Sequence, residues 1–266
     1  MTKDSAVLLR NDEEAKGILM RLLKIFLPLG LVLVLLCPQS GWSQTSQKEA
    51  EQTAALLATL LNAGRVVIEQ NQPLINDSGR GEKGFTPEVF ERLILDEFLQ
   101  QTQIDLKHVS SAMPSQAKDL LSLLLITSKE VVADAQFVIN QRGIGYKNFI
   151  PATFGSQAAR KFSTRSKVSI KQTALEPRNL QNAPDGYEEM VLKRLASQPS
   201  STMPIVEWLD GGKLLRAVVP IYYSEDCLVC HGNPKGILDM SGYPREGAQV
   251  GELAGAISIQ IPSDHR

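Results

Sequence analysis

Cysteine is scarce in this chain: three among 266 residues, alongside only three histidines. Cys37 lies in an N-terminal apolar region, and Cys227 and Cys230 stand together near the other end. With none left over once the N-terminal region is removed, the sequence excludes a disulfide framework. Charge of one sign is also missing. Lys and Arg number 28 against 29 Asp and Glu, for a net charge of −1, which gives nothing to draw nucleic acid. The N-terminal apolar run, Ile25 to Leu36, is short of the ~20 residues that a bilayer-crossing helix requires. There is no internal repeat, so a solenoid or propeller is excluded.

That short run has instead the length of a signal-peptide core. Arg10, Lys16, Arg21 and Lys24 precede it, and Gly41 and Ser43 put small residues at −3 and −1 of a cleavage after Ser43. The expectation is a signal peptide over 1–43, or an uncleaved anchor that associates the N-terminus with the membrane. Either route delivers 44–266 to the periplasm. Leu36 before Cys37 stands where a lipoprotein signal wants a small residue, which speaks against lipidation. The remaining chain is long enough for one good core or two small ones.

What is present decides more. Cys227-Leu228-Val229-Cys230-His231 is the C-x-x-C-H spacing of covalent haem attachment. Two thiols must reach two vinyl groups, and the following imidazole then lies under the iron as an axial ligand. Three cysteines and three histidines in 266 residues give roughly 4 × 10⁻⁴ chance occurrences of that pattern, so accident is a poor explanation. A thioredoxin-type dithiol would sit where a strand meets a helix, but Gly232-Asn233-Pro234-Lys235-Gly236 is loop chemistry. A zinc site needs four ligands, and only His108 and His265 remain, far apart. A disulfide between the two cysteines would leave His231 unexplained.

The first part, about 45–141, reads as helical. Ala54, Leu57, Leu60, Leu61 and Val67 recur at helical spacing. Thr86-Pro87-Glu88 starts a second helix with Thr86 as N-cap and an inward stripe of Val89, Leu93, Leu95 and Phe98. A third is expected over about 116–140, with Leu120, Leu121, Leu124, Val131, Val132 and Val138 inward. Gly79 to Gly84 matches G-x-G-x-x-G, but the turn-rich Asn71 to Asp77 precedes it where a dinucleotide site needs a strand, so it reads as a flexible loop.

The second part changes period. A short helix follows Ile150, and Val168 to Ala174 alternates as a strand. Asp185 and Glu188 have capping-box spacing, and Asp210-Gly211-Gly212 makes a hairpin turn between strands at 203–209 and 213–223. Ala254 to Ile261 is a last strand. The order implies an α+β fold, an antiparallel sheet flanked by helices behind an N-terminal helical region.

Phe149 to Gly155, Ile170 to Thr173, Arg178-Asn179, Asn182 to Asp185 and Glu188 come in an order shared by one bacterial family. So do Leu215-Arg216, Pro220 to Tyr222, Cys227 to Gly232, Pro234 to Gly236, Asp239, Ser241 to Pro244, Glu246-Gly247, Gly251 and Gly255 to Ser258. The chain resembles the Tll-type PAS-like haem c domain family over about 50–262. The resemblance implies a single PAS-like domain over 44–266 with one haem c, anchored at Cys227 and Cys230 and ligated by His231. It also implies a stand-alone exported protein rather than the sensing part of a membrane receptor.

The family's characterised member has a cysteine from the N-terminal helical region as its second axial ligand; this chain departs there, with no cysteine between Ser43 and Cys227. His108 and Met113 are the candidates left for that distal position, with Met190, Met203 and Met240 nearer the motif but more often core filler. Arg216, on the strand just before the motif, is the first candidate to pair with haem propionates, ahead of Lys235, Lys171 and Arg178. The function expected is electron transfer, or redox or gas sensing, toward a redox or signalling partner. No set of nucleophile, base and orienting group stands out, so an enzyme, whether a haem-dependent peroxidase-like protein or a thiol-disulfide oxidoreductase, is the alternative.

Overall fold

A computed structural model describes residues 44–108 and 113–263. The segment read as an export signal, with Cys37, lies outside the described residues, as does His265. The long α1, Gln44–Gln70, buries Ala54, Leu57, Leu60, Leu61 and Val67, as its spacing requires. Around it pack α3 (Pro87–Thr102), α4 (Ser115–Asp134) and α6 (Pro151–Ser163), while α2 (Gln72–Ile75) and α5 (Gln136–Ile139) are single turns. Among the described residues no helix is long and apolar enough to cross a membrane.

Two details differ from expectation. The inward face of α3 is centred on Phe90, Ile94 and Phe98, all fully buried, with Val89 and Leu93 only along its edge. A spacing of four keeps these three on one line of the helix surface, and the stripe as read straddled that line. The third helix stops at Asp134, and α5 then restarts in a new register, so Ile139 is buried and Val138 turns outward. The G-x-G-x-x-G segment is a loop, and it is tied down. Lys83 Nζ donates to the Arg80 carbonyl at 2.5 Å, and its backbone N–H donates to Asn140 Oδ1 at 3.0 Å.

The sheet is antiparallel, in the order β1 (Ser169–Thr173), β4 (Leu253–Pro262), β3 (Leu214–Tyr222), β2 (Ile205–Leu209). Alternation along the strands splits it into two faces. Leu215, Ala217, Ile257, Ile259 and Ile261 join the core under the helical layer. Val218 and Ala256 face the other way, against Val191, Leu192 and Leu195 of α7 (Gly186–Ala196). That helix begins with both halves of its capping box formed by Asp185 and Glu188. Asp210, Gly211 and Gly212 all have φ between 53° and 87°, the left-handed turn that lets β2 fold back on β3. The result is the α+β arrangement of helices on an antiparallel sheet.

Candidate cofactor site

The C-x-x-C-H motif occupies the connection between β3 and β4. The chain leaves β3 at Tyr222, makes one helical turn, α8 (Leu228–His231), and loops back to β4 at Leu253. Backbone hydrogen bonds close the neck of this connection: Tyr223 N to Glu252 O at 3.0 Å and Gly251 N to Tyr223 O at 2.9 Å. Ala248 N donates to His231 O at 2.8 Å, which stitches the loop onto the motif. The helical bonds from Cys230 N and His231 N to Cys227 O, 3.2 and 3.0 Å, turn the chain once. Residues three and four apart on such a turn are neighbours, so Cys227 stands beside both Cys230 and His231 along the turn.

His231 is held by its Nδ1, which donates to Glu246 Oε2 at 2.8 Å, and its ring lies 5.2 Å from that of Tyr223. A carboxylate on Nδ1 fixes the tautomer that leaves Nε2 as the nitrogen open to a metal. Burial pulls the Glu246 carboxyl up, but hydrogen bonds from Arg178 and His231 outweigh it and hold the group below its ordinary value. Burial, reinforced by Glu246, pushes the Tyr223 phenol up to about 12.

Arg178 organises the loop. Its Nε and Nη2 donate to the two oxygens of Glu246 at 2.7 and 2.9 Å, Nη1 to Asp239 Oδ2 at 2.6 Å, and Nη2 also to the Cys230 carbonyl at 3.0 Å. The Asp239 side chain is fully enclosed. Its Oδ1 accepts from Ser241 N, Ser241 Oγ and Tyr243 N, which folds the loop tip. The cysteines have different surroundings. Cys227 Sγ lies 3.1 Å from Ser224 Oγ and 3.6 Å from Glu69 Oε1 of α1. The Cys230 thiol is pushed up by burial and by the Asp239 carboxylate.

The other residues read from the sequence fall elsewhere. Strand alternation puts Arg216 on the α7 face, where Nη2 meets Asp185 Oδ2 at 2.9 Å and Glu188 Oε1 at 3.5 Å and the guanidinium covers the Tyr187 ring. Lys171 is tied to Glu188 and to the Ala183 carbonyl. Lys235 is exposed on the motif loop. His108 is exposed and paired with Asp105 at 2.9 Å, and Met113 is buried in the helical core. Met240 is exposed on the motif loop itself. Glu246 and Asp239 had no role in the sequence reading, and Arg178, one of its propionate candidates, is held here by both; their one visible signal is membership of the family's spaced motifs. Among the described residues no cluster of three or more His, Cys, Asp or Glu could hold a metal ion by itself.

The fold and site thus define an α+β protein with a Cys-x-x-Cys-His turn built into a sheet connection and its histidine oriented by a carboxylate. The chain belongs to the Tll0287-like family, whose model matches residues 43–262. The crystal structure of the cyanobacterial haem protein Tll0287 is similar with a TM-score of 0.40 and 16% identity, over 58% of this chain and 99% of that one. No curated protein matches it.

Proposed function

We propose that this protein carries one covalent haem c and works, after export to the periplasm, in electron transfer or in redox or gas sensing. The carrying observation is the 2.8 Å bond from His231 Nδ1 to Glu246, in the one turn that also presents both cysteines. A bound haem would supply one-electron iron chemistry and a position for a diatomic ligand. Cys227 and Cys230 would anchor it through thioethers, and His231 Nε2 would ligate the iron. The donor set has the chemistry for this, and Val229, Ile237, Leu238 and Met240 leave apolar surface on the motif and its loop to suit a macrocycle. Tll0287, named as a haem protein, agrees with the reading but does not carry it. Against a dithiol enzyme stand the wholly antiparallel sheet and a Cys230 thiol that its surroundings disfavour as thiolate.

The test is an absorption spectrum of protein matured with a haem c attachment system, oxidised and reduced, with and without carbon monoxide. A Soret band that survives denaturation is expected. A colourless product with free thiols at Cys227 and Cys230 overturns the proposal. Carbon monoxide binding by the reduced form would favour gas sensing over electron transfer. In the same protein, Glu246→Gln is expected to raise the reduction midpoint, because an amide gives His231 less imidazolate character than a carboxylate does. A spectroelectrochemical titration reads this, and an unchanged midpoint would remove Glu246 from the role of orienting group.

A further inference from the structure

Arg65 is a half-buried cation with a guanidinium nitrogen that has no hydrogen-bond partner among the described residues. It stands on α1 one turn before Glu69, and residues four apart share a helix face. Glu69 Oε1 accepts from Ser224 Oγ at 3.1 Å and lies against Cys227, so this face of α1 is the one turned to the motif. Arg65 is itself electrostatically coupled to Cys227 and Glu69. Its hydrogen bond among the described residues runs from Nη1 to the neutral Asn62 Oδ1 at 3.1 Å. Its Nε is sealed from solvent and donates to nothing, and among the described residues no carboxylate stands within ion-pair distance of it.

The other cations considered for the haem carboxylates differ. Arg178 is filled by Asp239 and Glu246, Arg216 by Asp185 and Glu188, and Lys171 by Glu188. Arg245 is the exception, since its Nε is also sealed and its Nη1 donates to the neutral Asn233 carbonyl at 3.2 Å, but it belongs to the motif loop itself and not to α1. A guanidinium partly withdrawn from water and outside ion-pair distance of any carboxylate has donors to spare, and its planar fork matches a carboxylate.

We propose that Arg65 is a carboxylate receptor beside the motif, and that the carboxylate it takes is a haem propionate. The inference rests on the haem reading above. A free carboxylate anion is the other source of the same chemistry.

The Cys227→Ser, Cys230→Ser protein keeps His231 and Arg65 but forms no thioethers. It is titrated with ferric haem and with the dimethyl ester of haem, followed at the Soret band. Haem is expected to bind about tenfold more tightly than the ester, the effect of one charge-assisted pair. Adding Arg65→Gln should bring the ratio to near one, and Arg65→Lys should keep part of it. Equal binding of haem and ester by the parent overturns the propionate assignment. Acetate then decides the rest: a rise in thermal midpoint that Arg65→Gln abolishes sustains a receptor for a free carboxylate, and no rise overturns the proposal. The parent's own ratio and acetate response keep the test open even if an Arg65 variant fails to fold. Failure of the haem reading looks different, since then the protein shifts the Soret band of neither haem nor ester.

Discussion

Replacing Arg178 with methionine is expected to lower stability by about 3–5 kcal/mol, roughly 10 °C in the melting midpoint of a domain this size. Methionine matches the length of the stem but removes every donor. The enclosed Asp239 carboxylate and both oxygens of Glu246 then lose their guanidinium donors, and an uncompensated buried charge costs more than the pair itself contributes. The double change Arg178→Met, Asp239→Asn should recover part of the loss. Acid offers a further check. Burial pulls the Asp239 carboxyl up, yet hydrogen bonds from Ser241 and Arg178 prevail and hold it well below its ordinary 3.8. A group depressed in the folded state stabilises fully above its unfolded value and loses that contribution as pH falls through the folded one. The gap between the wild type and Asp239→Asn should therefore stay constant from about pH 7 to about pH 5 and close only below about pH 4. Calorimetric scans across that range measure it, and a gap that closes near neutrality would contradict the assignment.

Phe154→Ala is expected to cost a similar 3–5 kcal/mol through a different cause, a cavity. Phe154 is fully buried in α6, its ring centroid 5.2 Å from that of Phe90 in α3. It lies directly on α1, where a Cβ at Gly64 would come within 2.6 Å of the ring. Gly64 has no side chain to fall into the space an alanine would leave, so the gap closes only if whole helices move. Urea unfolding should show a lower midpoint with an unchanged slope. A loss under about 1 kcal/mol would mean that α1 and α6 close over the gap.

Legibility followed the range of each interaction. Thr86 before Pro87, the Asp185–Glu188 box and the Asp210-Gly211-Gly212 turn act within a few residues, and each stands where its spacing puts it. The motif is equally local, one helical turn long. Glu246 reaches His231 from fifteen positions on, Arg178 reaches the Cys230 carbonyl across 52, and Glu69 meets Cys227 across 158. No periodicity encodes such pairs. Arg216 illustrates the hazard of arguing from nearness in sequence. It is close to the motif along the chain, but strand alternation turns it to the α7 face, where Asp185 and Glu188 occupy it. The restart after Asp134 was hidden for another reason, since neither proline nor glycine marks it.

Because β3 and β4 are neighbours in the sheet, everything from Ser224 to Gly251 is one long hairpin connection closed at its base. The entropy of closing such a connection grows only with the logarithm of its length. The paired strands therefore exert little pressure on how many residues lie between them, or on which ones. Chemistry and scaffold are under separate constraint here: an insertion in the loop can re-tune the histidine's surroundings while the register from Leu214 to Tyr222 stays as it is.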